Sequence, residues 1–136
     1  MATAKRFEDL DVWQRAKELT ILVYKYSTDG AFSRDFGLRD QMRRASVSVM
    51  SNIAEGFESQ TQATFIKFLA YAKGSSGELR AQLYIARDQG YISEEEFNDT
   101  LSLAETCSKQ LARFIQYLET QPNARRVRED GVTYNV

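Results

Sequence analysis

Apolar residues recur along this chain at alternating spacings of four and three, the period of a helix with one buried face. The first series is Val12, Ala16, Leu19, Val23 and Tyr26, flanked by Trp13 and Tyr24. Asp9 or Asp11 stands where it can cap the start, and Asp29-Gly30 predicts a stop after about Thr28. The second series is Leu38, Met42, Ala45, Val49 and Asn52/Ile53, with Val47, Met50 and Ala54 beside it. It predicts a helix from about Leu38 to Glu58 that closes through Gly56, a residue suited to the left-handed exit conformation. Residues 29–37 form the longest interior connection, with Phe32 and Phe36 as its expected anchors.

The third series runs Phe65, Phe68/Leu69, Ala72, Ser75/Ser76, Leu79, Leu83 and Ala86. It predicts a helix from about Gln62 to Gln89, capped by Thr61 and stopped by Gly90. Gly74 and Gly77 lie inside it, although interior glycine costs roughly 0.5–1 kcal/mol relative to alanine. The apolar phase passes through them unshifted, which predicts a continuous helix with close backbone approach. The serine-rich face of the second helix, around Ser46, Ser48 and Ser51, is the expected neighbour. The fourth series is Phe97, Leu101, Ala104, Ser108, Leu111, Ile115 and Leu118. Ser93 and Glu96 form a capping box at its start, and Pro122 follows its end.

Four helices with short links predict an all-α, up-down-up-down four-helix bundle. Its limits are 9–120, after a lead at 1–8 and before a polar tail at 121–136 that is expected to be disordered. The length of 136 residues suits one domain with a real core. With 43% hydrophobic and 27% charged residues, the chain has the composition of a soluble globular domain. No apolar run is long enough to span a membrane. No secretory h-region appears at the start, so the expected location is the cytoplasm. The single cysteine, Cys107, excludes an intramolecular disulfide.

The chain has no histidine, which removes the Glu-x-x-His di-metal motif of ferritin-like bundles and any Ser-His-Asp triad. No catalytic residue, metal site or cofactor is expected. Asn52, Glu55 and Glu78 read as a polar network that fixes helix register, with Glu55 and Glu78 meeting if the second and third helices pack antiparallel around Gly74–Gly77. Ser48, Gly74 and Gly77 read as the residues of close helix packing. Net charge is −1, which argues against blanket coverage of nucleic acid but leaves room for a local basic stripe. Arg39, Arg43 and Arg44, with Lys67, Lys73, Arg80 and Arg87, are the candidates for one. The fourth helix is acidic at Glu94, Glu95, Glu96, Asp99 and Glu105, so an oligomer joining basic and acidic surfaces is the competing reading.

Three motifs occur in order: Phe7-x-Asp9-Leu10-x-Val12-Trp13-Gln14-x-Ala16; Arg44-Ala45-x-x-Ser48 with Asn52-Ile53-Ala54-Glu55-Gly56; and Phe68-Leu69-x-x-Ala72-x-Gly74-Ser75-x-x-Glu78. Together they resemble the four-helix bundle family of 23S rRNA intervening-sequence proteins, over roughly residues 6–118. The accessory variability determinant of diversity-generating retroelements looks like a branch of the same family. The resemblance implies a bacterial bundle that assembles as a ring, typically a homopentamer. The retroelement branch is basic and binds nucleic acid and a reverse transcriptase, whereas this chain is slightly acidic. It also has Phe57-Glu58-Ser59-Gln60-Thr61 where family members often carry an arginine. The function expected from these features is a non-enzymatic homo-oligomer that binds structured RNA or DNA through its basic stripe. The alternative is a protein-binding adaptor with no nucleic-acid role.

Overall fold

The four apolar stripes are the buried faces of four long helices. The computed structural model describes residues 4–121, so the tail expected over 121–136 lies, apart from Gln121, outside the described residues. After a 3-10 turn at Phe7–Asp9 come α1 (Asp11–Tyr26), α2 (Gly30–Arg34), α3 (Phe36–Glu58), α4 (Gln62–Asp88) and α5 (Glu94–Glu119). No strand occurs among the described residues. α1 packs on α3 and α5, α3 packs on α4, and α4 packs on α5, which closes a helical bundle around one core. Val12, Leu19, Met42, Ile53, Leu69, Leu79, Leu83, Leu111 and Phe114 lie inside it. On α5 the buried face takes in Thr100, Cys107 and Phe114, leaving Leu101 and Ile115 half-buried. The stripe is rotated there because α5 covers both α4 and α1.

Small hydroxyls join the helices near their middles. The Thr20 hydroxyl reaches the carbonyl of Ser46 at 3.1 Å, and the Ser76 and Ser108 hydroxyls lie 2.8 Å apart. The buried hydroxyls of Ser27, Ser46, Ser76, Thr100 and Ser108 each find a partner, so their burial carries little desolvation cost.

Helix ends follow the sequence in two places. Thr61 accepts the Thr64 N–H at 3.1 Å. Ser93 accepts the Glu96 N–H at 3.0 Å while Glu96 accepts the Ser93 N–H at 2.8 Å. Gly90, at φ 74°, then supplies the turn between α4 and α5. The start of α1 differs. Leu10 occupies the cap position and offers no side-chain bond. Asp9 instead accepts the N–H groups of Lys5 and Arg6 at 3.2 and 3.1 Å. Asp11 pairs with Arg15 at 3.1 Å and accepts from Gln110 at 2.8 Å. Both carboxylates thus tie down neighbouring chain rather than capping α1.

The connection at 29–37 contains α2, five residues too short to show a helical period. Phe32 is its anchor, stacked on Tyr91 with ring centroids 5.1 Å apart. Tyr91 donates to Asp35 at 2.8 Å, and that bond raises its phenol above the ordinary value. Phe36 is not an anchor: it is 62% exposed, with the Arg39 guanidinium over its ring at 4.8 Å.

The largest correction concerns glycine. Gly56 does not end α3, which continues to Glu58. It is buried, and an added Cβ there would come within 2.9 Å of both Phe65 Cδ1 and Phe68 Cβ. Gly74 and Gly77, expected at the close contact, are exposed, and an added Cβ would meet nothing within 4 Å. Helix α4 does run unbroken through them.

Candidate functional site

The second and third motifs meet along the groove between α3 and α4. Spacings of four, four and three place Arg44, Ser48, Asn52 and Glu55 along one flank of α3. Tyr71, Ser75 and Glu78 line the facing flank of α4 by the same rule. Ser48 and Ser75 share a hydrogen bond of 2.8 Å, and Asn52 Nδ2 donates to the Ser48 carbonyl and hydroxyl at 2.8 and 2.9 Å. Ser48 is therefore a real point of helix contact. Its α4 partner, Ser75, was read only as a position on the core stripe.

This register separates Glu55 from Glu78. Gly56 lies against Phe65 and Phe68 while Ser48 meets Ser75, so numbers rise along α3 as they fall along α4. Glu55 lies seven positions beyond Ser48, and Glu78 lies three beyond Ser75 in the opposite direction. At 1.5 Å per residue they stand about 15 Å apart along the groove. Both side chains are exposed. The expected Asn52–Glu55–Glu78 network is thus reduced to Asn52 with Ser48.

The basic candidates do not share one face. Arg43 turns toward α1: its Nε donates to Ser27 Oγ at 2.9 Å, its Nη2 to the Ser27 carbonyl at 3.2 Å, and its guanidinium lies over Tyr24 at 4.5 Å. Arg39 pairs with Asp40 at 2.9 Å and donates to the Ser33 carbonyl at 3.0 Å. Arg80 faces α5, with Glu105 at 4.0 Å. Arg87 is held between Tyr84 and Phe97 at 5.2 and 4.4 Å and pairs with Asp88 at 3.1 Å. Lys67 lies over Phe68 at 5.5 Å. Of these basic candidates, Arg44, Lys67 and Lys73 are exposed and make no ion pair among the described residues.

Among the described residues, no group of three histidine, cysteine or carboxylate side chains is arranged to hold a metal. Cys107 is buried in the core. An open cleft of about 490 Å³ lies between α1 and α5, with Arg15, Glu18, Tyr26 and Asp99 on its walls. No helix among the described residues is long and apolar enough to cross a membrane.

The surface also carries apolar side chains that the sequence patterns did not single out as exposed. Tyr71 is 53% exposed, Ile85 50% and Tyr84 44%, all on α4. The signal was available: these residues fall off the buried stripe of α4.

The family model described as 23S rRNA-intervening sequence protein matches residues 8–113. A similar solved structure is a protein with unknown function from the S23 ribosomal protein family of Bacteroides thetaiotaomicron VPI-5482. Its TM-score is 0.71 at 23% sequence identity, covering 77% of this chain and 98% of that one, which establishes a shared fold. No curated protein matches the chain.

Proposed function

The chain belongs to the 23S rRNA-intervening sequence protein family, and from that premise we propose a non-enzymatic, homo-oligomeric four-helix bundle that works as a docking scaffold in the cytoplasm. Contacts between successive long helices support the up-down-up-down arrangement. Thr20 meets Ser46, Ser48 meets Ser75, and Ser76 meets Ser108, each pair joining neighbours along the chain. The ring assembly comes from the family resemblance.

One observation carries the scaffold reading. The outward side of α3 and α4 combines charges of both signs that make no ion pair among the described residues (Arg44, Glu55, Lys73, Glu78) with the exposed rings and branched chain of Tyr71, Tyr84 and Ile85. Aromatic groups and arginine are enriched in protein–protein interfaces. A nucleic-acid face needs many uncommitted cations, whereas Arg39, Arg43, Arg80 and Arg87 hold groups of the chain itself.

RNA binding is the second reading, favoured by three exposed cations of α3 and α4 that make no ion pair among the described residues: Arg44, Lys67 and Lys73. A titration of the full chain against a fluorescent structured RNA and a matched DNA duplex, at low and near-physiological salt, separates the two. The scaffold reading expects no saturable binding at either salt. Saturable binding that weakens steeply with salt, and is lost in Arg44→Glu/Lys73→Glu, would replace it with the RNA reading.

A further inference from the structure

The open cleft between α1 and α5 is built from two facing flanks. On α1, Asp11, Arg15, Glu18, Leu22 and Tyr26 follow one another at spacings of four, three, four and four, which keeps them on one side of the helix. On α5, Asp99, Ser102, Leu103 and Thr106 line the opposite wall. Two side-chain bonds fix the register between the helices. Gln110 donates to Asp11 at 2.8 Å, and the Tyr26 and Thr100 hydroxyls lie 3.2 Å apart. Numbers therefore rise along α1 as they fall along α5.

This register orders the cleft. Between those two bonds, Glu18 stands about level with Thr106, while Tyr26 stands level with Thr100 and so beside Asp99. Thr106 and Asp99 are seven positions apart on α5, which separates the Glu18 and Asp99 carboxylates by roughly 10 Å along the seam. Leu22 and Leu103, both half-buried, lie between them. Glu18 and Asp99 are exposed and make no ion pair or hydrogen bond among the described residues. Arg15, on the same wall as Glu18, is already paired with Asp11 at 3.1 Å.

The chemistry of these walls narrows what they can hold. An anion would meet two carboxylates that nothing neutralises. A divalent cation needs six or more oxygens at roughly 2.0–2.6 Å, and carboxylates so far apart cannot share one. A chain with a cation at each end and methylenes between them fits. Each ammonium brings donors and no acceptor, matched by a carboxylate and a neighbouring hydroxyl, and the methylenes lie on the leucines. The volume, about 490 Å³, falls within the roughly 300–1,000 Å³ of small-molecule sites.

We infer that the cleft between α1 and α5 binds a linear aliphatic polyamine. One ammonium sits at Glu18 beside Thr106 and another at Asp99 beside Ser102, with the chain between them on Leu22 and Leu103. The site lies apart from the α3–α4 surface of the scaffold reading and stands whether or not that reading holds.

The test is a calorimetric titration of the full chain with spermidine, a linear triamine, at near-physiological salt. Wild type is expected to bind one molecule per chain. Glu18→Gln and Asp99→Asn are each expected to weaken binding on the order of tenfold, the loss of one charge-assisted contact. Glu58→Gln, at the end of α3 and outside the cleft, removes the same charge and is expected to bind like wild type. All three positions are exposed, so circular dichroism should show equal helix content. Butylamine, with a single ammonium, is expected to bind more weakly than spermidine. No saturable binding to wild type would overturn the site. Equal weakening by all three variants, or equal affinity for Mg²⁺, would reduce the binding to diffuse attraction of cations and overturn it as well. Weakening in only one of the two cleft variants, or butylamine binding as tightly as spermidine, would overturn the two-ended contact.

Discussion

Gly56→Leu is expected to lower the melting temperature by roughly 10 °C, an overpacking cost of about 2–3 kcal/mol. The cause is local and steric. The Cβ alone would come within 2.9 Å of two phenylalanine side chains and 3.3 Å of the Phe65 carbonyl oxygen. The backbone oxygen cannot move without shifting the first turns of α4. Phe65 also packs edge-on to Phe57 at 6.1 Å and to Phe114 at 5.3 Å, so its ring has little freedom to yield. Gly37→Ala is the control. Its Cβ would meet only Asp35 Oδ1, at an ordinary 3.9 Å, and a better helix former there is neutral or slightly stabilising. Equal melting of Gly56→Leu and wild type would show that α3 and α4 do not approach as closely as described.

Arg43→Glu is expected to cost about 2–4 kcal/mol, seen as a lower midpoint in urea with an unchanged slope. Ser27, fully buried, ends α1 and uses its own hydroxyl to bond the Val23 carbonyl at 2.7 Å. The guanidinium of Arg43 bonds both the hydroxyl and the carbonyl of Ser27. It therefore places positive charge at the negative end of the α1 dipole. A carboxylate would remove two bonds, reverse that interaction and lose the Tyr24 stack. Arg44→Glu, one position on and exposed, is expected to stay within about 0.5 kcal/mol of wild type. If the two variants unfold alike, the Arg43 contact carries no stability and Arg43 returns to the candidates for a ligand surface. A combined Arg43/Arg44 reversal would confuse lost folding with lost binding, so the two must be made separately.

These two residues also show where sequence reading stops. The four long helices were legible because burial imposes a period, and that period survives in Val12 to Val23, Met42 to Ile53, Phe65 to Ala86 and Phe97 to Leu118. Thr61 and Ser93 were legible because a cap is a local bond between near neighbours. Gly56 was not, because glycine serves both a helix exit and a close approach, and only the position of Phe65 and Phe68 decides between them. Gly74 and Gly77 were misplaced for the same reason, since nothing local says which way a small residue points. Arg43 reads like Arg44 until Ser27, sixteen residues earlier, is brought beside it. The separation of Glu55 from Glu78 followed from helix register, which the apolar period leaves free and the Ser48–Ser75 bond sets.

The motif residues fared unevenly as a candidate site. Ser48 proved to be a helix contact and Asn52 its hydrogen-bond partner. Arg44, Glu55 and Glu78 stayed on the outside with no ion pair among the described residues, on the flanks of an α4 face that no other described element covers. A family motif that runs from the core to an uncovered face is consistent with self-association.

The most direct test of this account is the absolute mass of the full chain in solution, by sedimentation equilibrium on dilution. The account predicts a whole-number multiple of the 15.6 kDa chain mass, two or more. A single species of 15.6 kDa at every concentration would contradict it.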